Sequence, residues 1–337
     1  MATPNDYRAI ARKTDRPMWI WAGCALTSVL LLFGVGIFVA ITLLNGNEEP
    51  EGKLPDVWPT KAANALRPVP MPTGEMVAAL TDETGAQVLC QVIPERRWEE
   101  ILGGRTLREA GRACHAVTAQ LDVSAQMIPA LPEDTSRGVP VRTTIAGKLA
   151  LIATDKDGTS LSVELVEVAP HNGASPVLLV SFRSRTSKAP DAEGKAKALA
   201  EALIASAMPP GPKLPKIGED GEIAPQQVEA GPLKDKPLPV MSWLLCGELG
   251  RALGAPADKA KPTFFASCEL NGVTADYSEH SAVVVPTTTI AGRPAQVDGR
   301  GVVVQLTDDP DGKTLKFTGT GDLQGLAEKM VPPLFGR

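Results

Sequence analysis

Thr143-Thr144-Ile145-Ala146-Gly147-Lys148 recurs as Thr288-Thr289-Ile290-Ala291-Gly292-Arg293, a shared run closed each time by a basic residue. The surroundings recur too. Leu89-Cys90 and then Cys114 precede the first copy; Leu245-Cys246 and then Cys268 precede the second. Thr154-Asp155-Lys156-Asp157-Gly158 and Leu161 follow the first; Thr307-Asp308-Asp309-Pro310-Asp311-Gly312 and Leu315 follow the second. One order inside one cysteine framework marks an internal duplication, and two copies make a tandem pair rather than a solenoid. Prolines set the boundaries. Residues 209–239 carry Pro209, Pro210, Pro212, Pro215, Pro225, Pro232, Pro237 and Pro239, a density that excludes a continuous helix or a central strand. The segment is read as a linker between domains at 76–208 and 240–337.

Five cysteines are present. Four of them fall in the two domains and allow three pairings. The duplication selects Cys90–Cys114 and Cys246–Cys268, each closing a loop of similar length. Zinc sites favour short Cys-x₂₋₄-Cys pairs or paired His and Cys, and neither occurs here. His115 beside Cys114 is replaced by Glu269 beside Cys268. Two disulfides and no metal are therefore expected.

Periodicity supplies the elements. After each first cysteine a helix is expected, at Arg97–Arg112 and Gly247–Leu253, with Trp98, Ile101 and Leu102 on one face. After each second cysteine an alternating stretch, His115–Val123 and Glu269–Tyr277, reads as a strand. Further strands are expected at Lys148–Thr154, Leu161–Val168 and Val177–Phe182. In the second copy they are Ser281–Pro286, Val302–Thr307 and Thr314–Thr318. Asp157-Gly158 and Asp311-Gly312 are hairpin signals. Helices Asp191–Met208 and Leu323–Met330 close the copies. The expected class is α+β: twice over, a small antiparallel sheet with packed helices and one disulfide.

Ahead of both domains, Met18–Leu44 is uncharged, longer than the ~20 apolar residues that a helix needs to cross a bilayer. Trp19 and Trp21 lie at its entry end, where amphipathic rings favour headgroups. The run exceeds a secretory h-region of ~7–15 residues and lacks a small-residue cleavage site, so it reads as an uncleaved anchor. Trp21-Ala22-Gly23-Cys24 precedes its apolar stretch instead of following it, which is the wrong order for a lipidation box. Arg8, Arg12, Lys13 and Arg16 flank one side; Glu48, Glu49 and Glu51 flank the other. By the positive-inside rule residues 1–17 are cytoplasmic and the rest lies outside the plasma membrane. Residues 45–75, rich in proline, read as a stalk.

Formal charge is −5, which argues against a nucleic-acid partner. The chain holds three histidines and two tyrosines. His-Glu-x-x-His, Gly-x-Ser-x-Gly, Walker and Gly-x-Gly-x-x-Gly patterns are all missing from the sequence. Asp155–Gly158 is too short for a calcium loop. His171 and His280 read as loop histidines, and Glu99-Glu100 as a solvated helix face. No cofactor and no catalytic residue is expected. The repeated element presents Lys148 and Arg293 at equivalent turns, which makes them candidate ligand-facing cations for an anionic polymer.

The basic N-terminus, single anchor, proline-rich stalk and the pairs Cys90/Cys114 and Cys246/Cys268 resemble, in layout, membrane-anchored envelope proteins of actinobacteria with two-cysteine α+β modules. The plan is also similar to sensor ectodomains of bacterial receptor kinases, without a kinase domain among its 17 inner residues. The resemblance implies a non-catalytic binding or assembly protein of the envelope, held by the lipid bilayer through residues 18–44, with an envelope polymer or a membrane protein as partner. The alternatives are a sensor ectodomain and an envelope-modifying hydrolase.

Overall fold

The computed structural model describes residues 64–128, 139–166, 176–186, 191–280, 284–307 and 312–335. The tail, the anchor at 18–44 with Cys24, stalk residues 45–63, His171 and Asp308–Asp311 lie outside them. Among the described residues no helix is long and apolar enough to cross a membrane.

Each copy folds as one seven-stranded sheet. In the first lobe, helices α1 (Asp82–Gln91) and α2 (Glu95–Leu102) lead into β1 (Leu107–Ala110), β2 (Cys114–Val117), β3 (Leu121–Ile128), β4 (Val141–Ile145), β5 (Lys148–Thr154), β6 (Gly158–Glu164) and β7 (Val177–Ser184), and α3 (Ala192–Ala207) closes it. In the second, α4 (Leu238–Leu253) leads into β8 (Lys261–Pro262), β9 (Ser267–Leu270), β10 (Val273–Ser278), β11 (Thr288–Ile290), β12 (Arg293–Asp298), β13 (Gly301–Gln305) and β14 (Thr314–Gly319), closed by α5 (Leu323–Phe335). The strand orders are β1-β2-β3-β7-β6-β5-β4 and, read from its own first strand, β8-β9-β10-β14-β13-β12-β11. These are the same order, antiparallel throughout, so the duplication extends to the topology.

Alternation explains why these strands face one way. Leu121, Val123, Ala125 and Met127 of β3 turn inward while Asp122 faces out. They meet Leu89, Trp98, Leu199 and Leu203 from the helices. The second core repeats the plan with Leu245, Leu249, Val304, Phe317 and Met330. The disulfides form as the duplication requires, Cys90–Cys114 and Cys246–Cys268, with Cα separations of 5.2 and 5.3 Å. Each ties the first helix of its lobe to the second strand.

Several expected elements differ. The helix expected over Arg97–Arg112 starts at Glu95 and stops at Leu102, because Gly103 takes the left-handed conformation that ends helices. Leu107–Ala110 then forms an edge strand. The helix expected from Gly247 begins nine residues earlier at Leu238, with Pro239 tolerated in its first turn. Both first cysteines therefore lie within helices. His115–Val123 and Glu269–Tyr277 are each two strands of a hairpin rather than one strand, the second turning at Asn271-Gly272 with φ 53° and 75°. Residues 284–286 form no strand; that side of the second sheet is closed by edge strand β11, paired to β12. The two Asp-x-Asp-Gly signals are not equivalent. Asp155–Gly158 joins β5 to β6, whereas Gly312 lies between β13 and β14. The true counterpart of Gly158 is Gly301.

The repeated hexapeptide is a two-residue hairpin in both lobes. Ile145 pairs with Lys148, and Ile290 with Arg293. Ala146 and Gly147 have φ of 48° and 75°, Ala291 and Gly292 of 49° and 79°, the all-positive signature of the turn that matches strand twist. Alanine is strained there by ~1 kcal/mol, whereas asparagine enters this region readily. Ala146→Asn and Ala291→Asn are each expected to raise the denaturation midpoint, corresponding to about 0.5–1 kcal/mol in guanidinium unfolding.

The proline-rich linker is pinned down at separate points. Leu214, Ile223 and Leu233 are buried. Leu214 N–H donates to Glu75, Ile223 N–H to Pro262 O, and Leu233 N–H to Leu334 O. Trp243, on the first helix of lobe two, joins the core of lobe one along with Phe264, and its indole donates to Ala224 O at 3.0 Å. The lobes thus share apolar packing and lie in a single compact unit.

Candidate functional site between the lobes

Lys148 and Arg293 occupy matching places at the start of β5 and β12. Each reaches across its hairpin to a main-chain carbonyl: Lys148 Nζ donates to Leu165 O at 2.5 Å, and Arg293 Nη1 to Leu306 O at 2.7 Å. Leu165 and Leu306 are themselves equivalent, each N–H bonding the residue that precedes the next strand. The two cations do one structural job in two sheets and are not brought together with each other. Hydrogen bonds from charged donors contribute ~1.5–3 kcal/mol when buried. At these half-exposed positions Lys148→Ala and Arg293→Ala are each expected to cost about 1 kcal/mol in denaturant unfolding.

A different set of charges converges where the lobes meet. Residues 65–67, on the path from the N-terminus, lie along α1: Gln87 takes the Arg67 N–H on Oε1 at 2.9 Å and donates from Nε2 to Ala65 O at 2.9 Å. This places the Arg67 guanidinium over the start of α1 and the linker. It grips Asp235 with both forks, at 2.8 and 2.7 Å, and reaches Glu83 at 3.1 Å. Thr84 Oγ1 adds a bond to Asp235 at 3.1 Å. From lobe two, Lys313 meets Glu83 at 2.6 Å and Glu279 at 3.8 Å. The Glu83 N–H points at Glu279 Oε2, 3.4 Å away, and His280 Nε2 faces Asp82 at 3.3 Å.

Four carboxyls here face two permanent cations and one imidazole. Burial and these charges shift three of them, Asp235, Glu83 and Glu279. Burial alone would raise Asp235 and Glu83, but Arg67 holds Asp235, and Lys313 with Arg67 hold Glu83, below the ordinary carboxylate range. Glu279 is nearly buried, and burial pushes it up; Lys313 offsets this only in part. Burial, with Glu279 next in strength, raises the neighbouring Tyr277.

These shifts give opposite pH terms. Glu83 and Asp235, depressed in the folded state, stabilise above the ordinary carboxylate pKa, and that contribution is lost as pH falls through their lowered values. Glu279, raised in the folded state, contributes fully below its unfolded pKa, and its contribution is lost as pH rises through the folded one. Glu279→Gln is therefore expected to flatten the decline that sets in as pH rises above the ordinary Glu value and to leave the limb below that value unchanged. Melting temperature of the full chain across pH 3–9 checks this.

Beside the seam opens a cleft of about 480 Å³ lined from both lobes. Asn64, on the segment leading into the first lobe, and Glu83, Gly111 and Arg112 of that lobe line one part; Glu279, His280, Thr307 and Lys313 come from the second. Arg112, in the β1–β2 turn, is exposed, and among the described residues no ion pair engages it. Sequence reading noticed Glu279-His280 only as a loop, and passed over Arg67, Glu83, Asp235 and Lys313. No spacing could reveal them, since Arg67 and Asp235 are 168 positions apart.

A scan against protein-family models finds no match, and a search of the curated proteins returns none.

Proposed function

We propose that this chain is a non-catalytic binding or assembly protein of the bacterial cell envelope, anchored in the plasma membrane by residues 18–44 with its C-terminal lobes outside, and that its ligand is seated in the interlobe cleft. One observation carries the reading. Two copies of one fold, locked by shared packing and a charged seam, build a cleft that neither copy lines alone. Its volume falls within the ~300–1,000 Å³ of small-ligand sites. Two disulfides fit an oxidising compartment, which supports the outside placement.

The test is photo-crosslinking on intact cells. A photoreactive residue replaces His280 in the cleft, and a control replaces Asp157. Strand register places the Asp157 hairpin at the opposite end of the first sheet from the Arg112 turn. An adduct is expected from position 280 and not from 157; adducts from 157 alone, or from neither, overturn the reading.

A sensor role has one observation in its favour. Arg67, on the segment leading from the N-terminus, belongs to the seam itself, so occupancy of the cleft would bear on the path to the anchor. That role requires a membrane partner captured by the full chain and lost when residues 1–44 are removed.

A further inference from the structure

We infer that the interlobe cleft takes a ligand bearing both a carboxylate and an ammonium group, of the amino-acid or short-peptide class. This rests on the cleft being the binding seat and adds what binds there.

The two sides of the cleft offer opposite charges. On the side of the first sheet stands Arg112, whose planar fork matches a carboxylate with two parallel hydrogen bonds. The Asn64 amide lies alongside: its atoms are 3.5 Å from where a Cβ on Gly111 would sit, so the turn leaves the amide room. A lone guanidinium and a neutral amide suit a single carboxylate.

On the other side anionic charge is in excess. Glu83 has both Lys313 and Arg67, and Asp235 has both forks of Arg67. Glu279 has only Lys313, at 3.8 Å, the longer of that lysine's two contacts. Its other polar neighbours, the Glu83 N–H, the Thr81 hydroxyl and the Tyr277 hydroxyl, bring no positive charge. Ionising a nearly buried carboxyl short of a cation is costly, in keeping with its upward titration. An incoming ammonium would supply the missing charge. An anion alone would leave Glu279 uncompensated, and a diamine would leave Arg112 without a partner. His280, with Asp82 opposite, lies at the rim and adds a donor for either end.

The experiment is a thermal-shift titration of the full chain with three probes at equal millimolar concentration: a mixture of amino acids and dipeptides, succinate, and 1,5-diaminopentane. Binding to the native state raises the melting temperature with concentration. The mixture is expected to raise it by about 2 °C or more, and the other two by less than half as much. Arg112→Ala, at an exposed turn, should cut the response to the mixture at least tenfold in midpoint concentration and leave that of the diamine unchanged. Glu279→Gln should weaken the mixture likewise and leave succinate unchanged. Succinate matching the mixture, indifferent to Glu279→Gln, would make the cleft an anion seat and overturn the proposal. No shift with any probe overturns it too, and an adduct from position 280 would then show that the cleft is still the binding seat. Absence of both shift and adduct removes the two readings together.

Discussion

Replacing Cys246 and Cys268 together by alanine is expected to lower unfolding free energy by about 3 kcal/mol, and the pair Cys90 and Cys114 by about as much. The loops closed are 22 and 24 residues in sequence separation, so the chain-entropy contribution is nearly equal in the two lobes. What each bridge holds is also equivalent: the first helix of the lobe against the second strand of its sheet. The consequence is larger for lobe two. Its own core is the smaller, and a typical domain has only ~5–15 kcal/mol in total. Guanidinium unfolding of the two paired variants, and of the quadruple variant, measures this. Losses from the separate bridges should add, because the sites share no partner. A reduced wild type that unfolds at the same midpoint as the oxidised protein would show that the bridges are not needed for stability.

Gly158→Ala and Gly301→Ala are expected to be of comparable size. Both glycines open the sixth strand of their sheet, at φ 159° and 148°. An added Cβ would sit 2.0 Å from Phe182 O and 2.2 Å from Phe317 O. Those carbonyls belong to β7 and β14, each bonded to a strand on either side, so the backbone cannot yield without disturbing three strands. The side chains of Phe182 and Phe317 are wholly buried. A strained dihedral and a main-chain overlap together point to about 3 kcal/mol or more. Gly147→Ala is the internal control. It has a positive φ of 75° and open space around its Cβ position, and should cost only ~1 kcal/mol. Equal losses at 147 and 158 would show that strain alone governs these sites, and that the approach of the phenylalanine carbonyls is irrelevant.

The sequence by itself determined what depends on neighbours in the chain. Ile145-Ala146-Gly147-Lys148 is a hairpin because two residues with positive φ suffice to reverse a twisted ribbon, and the same four positions recur at 290–293. The strand expected over Lys148–Thr154 is β5 to the residue. The cysteine pairing followed from duplication. Where local rules competed, the reading slipped. Trp98, Ile101 and Leu102 carried a helical stripe past Gly103, where one left-handed glycine stopped it. The hairpin of β2 and β3 looked like one strand, since alternation survives a tight turn. The Asp-x-Asp-Gly resemblance paired two turns that occupy different places in the sheet.

Tertiary structure alone decided the rest. Trp243 faces the core of the other lobe, and Ile223 and Leu233 pin a proline-rich segment that composition describes only as irregular. Lys148 and Arg293 seemed free because nothing local shows that Leu165 O and Leu306 O lie within their reach. The charged seam is the extreme case. Arg67, Glu83, Asp235, Glu279 and Lys313 are ordinary surface residues in the sequence. Their energies depend on distance and desolvation, and both are set only when the two lobes close on the linker.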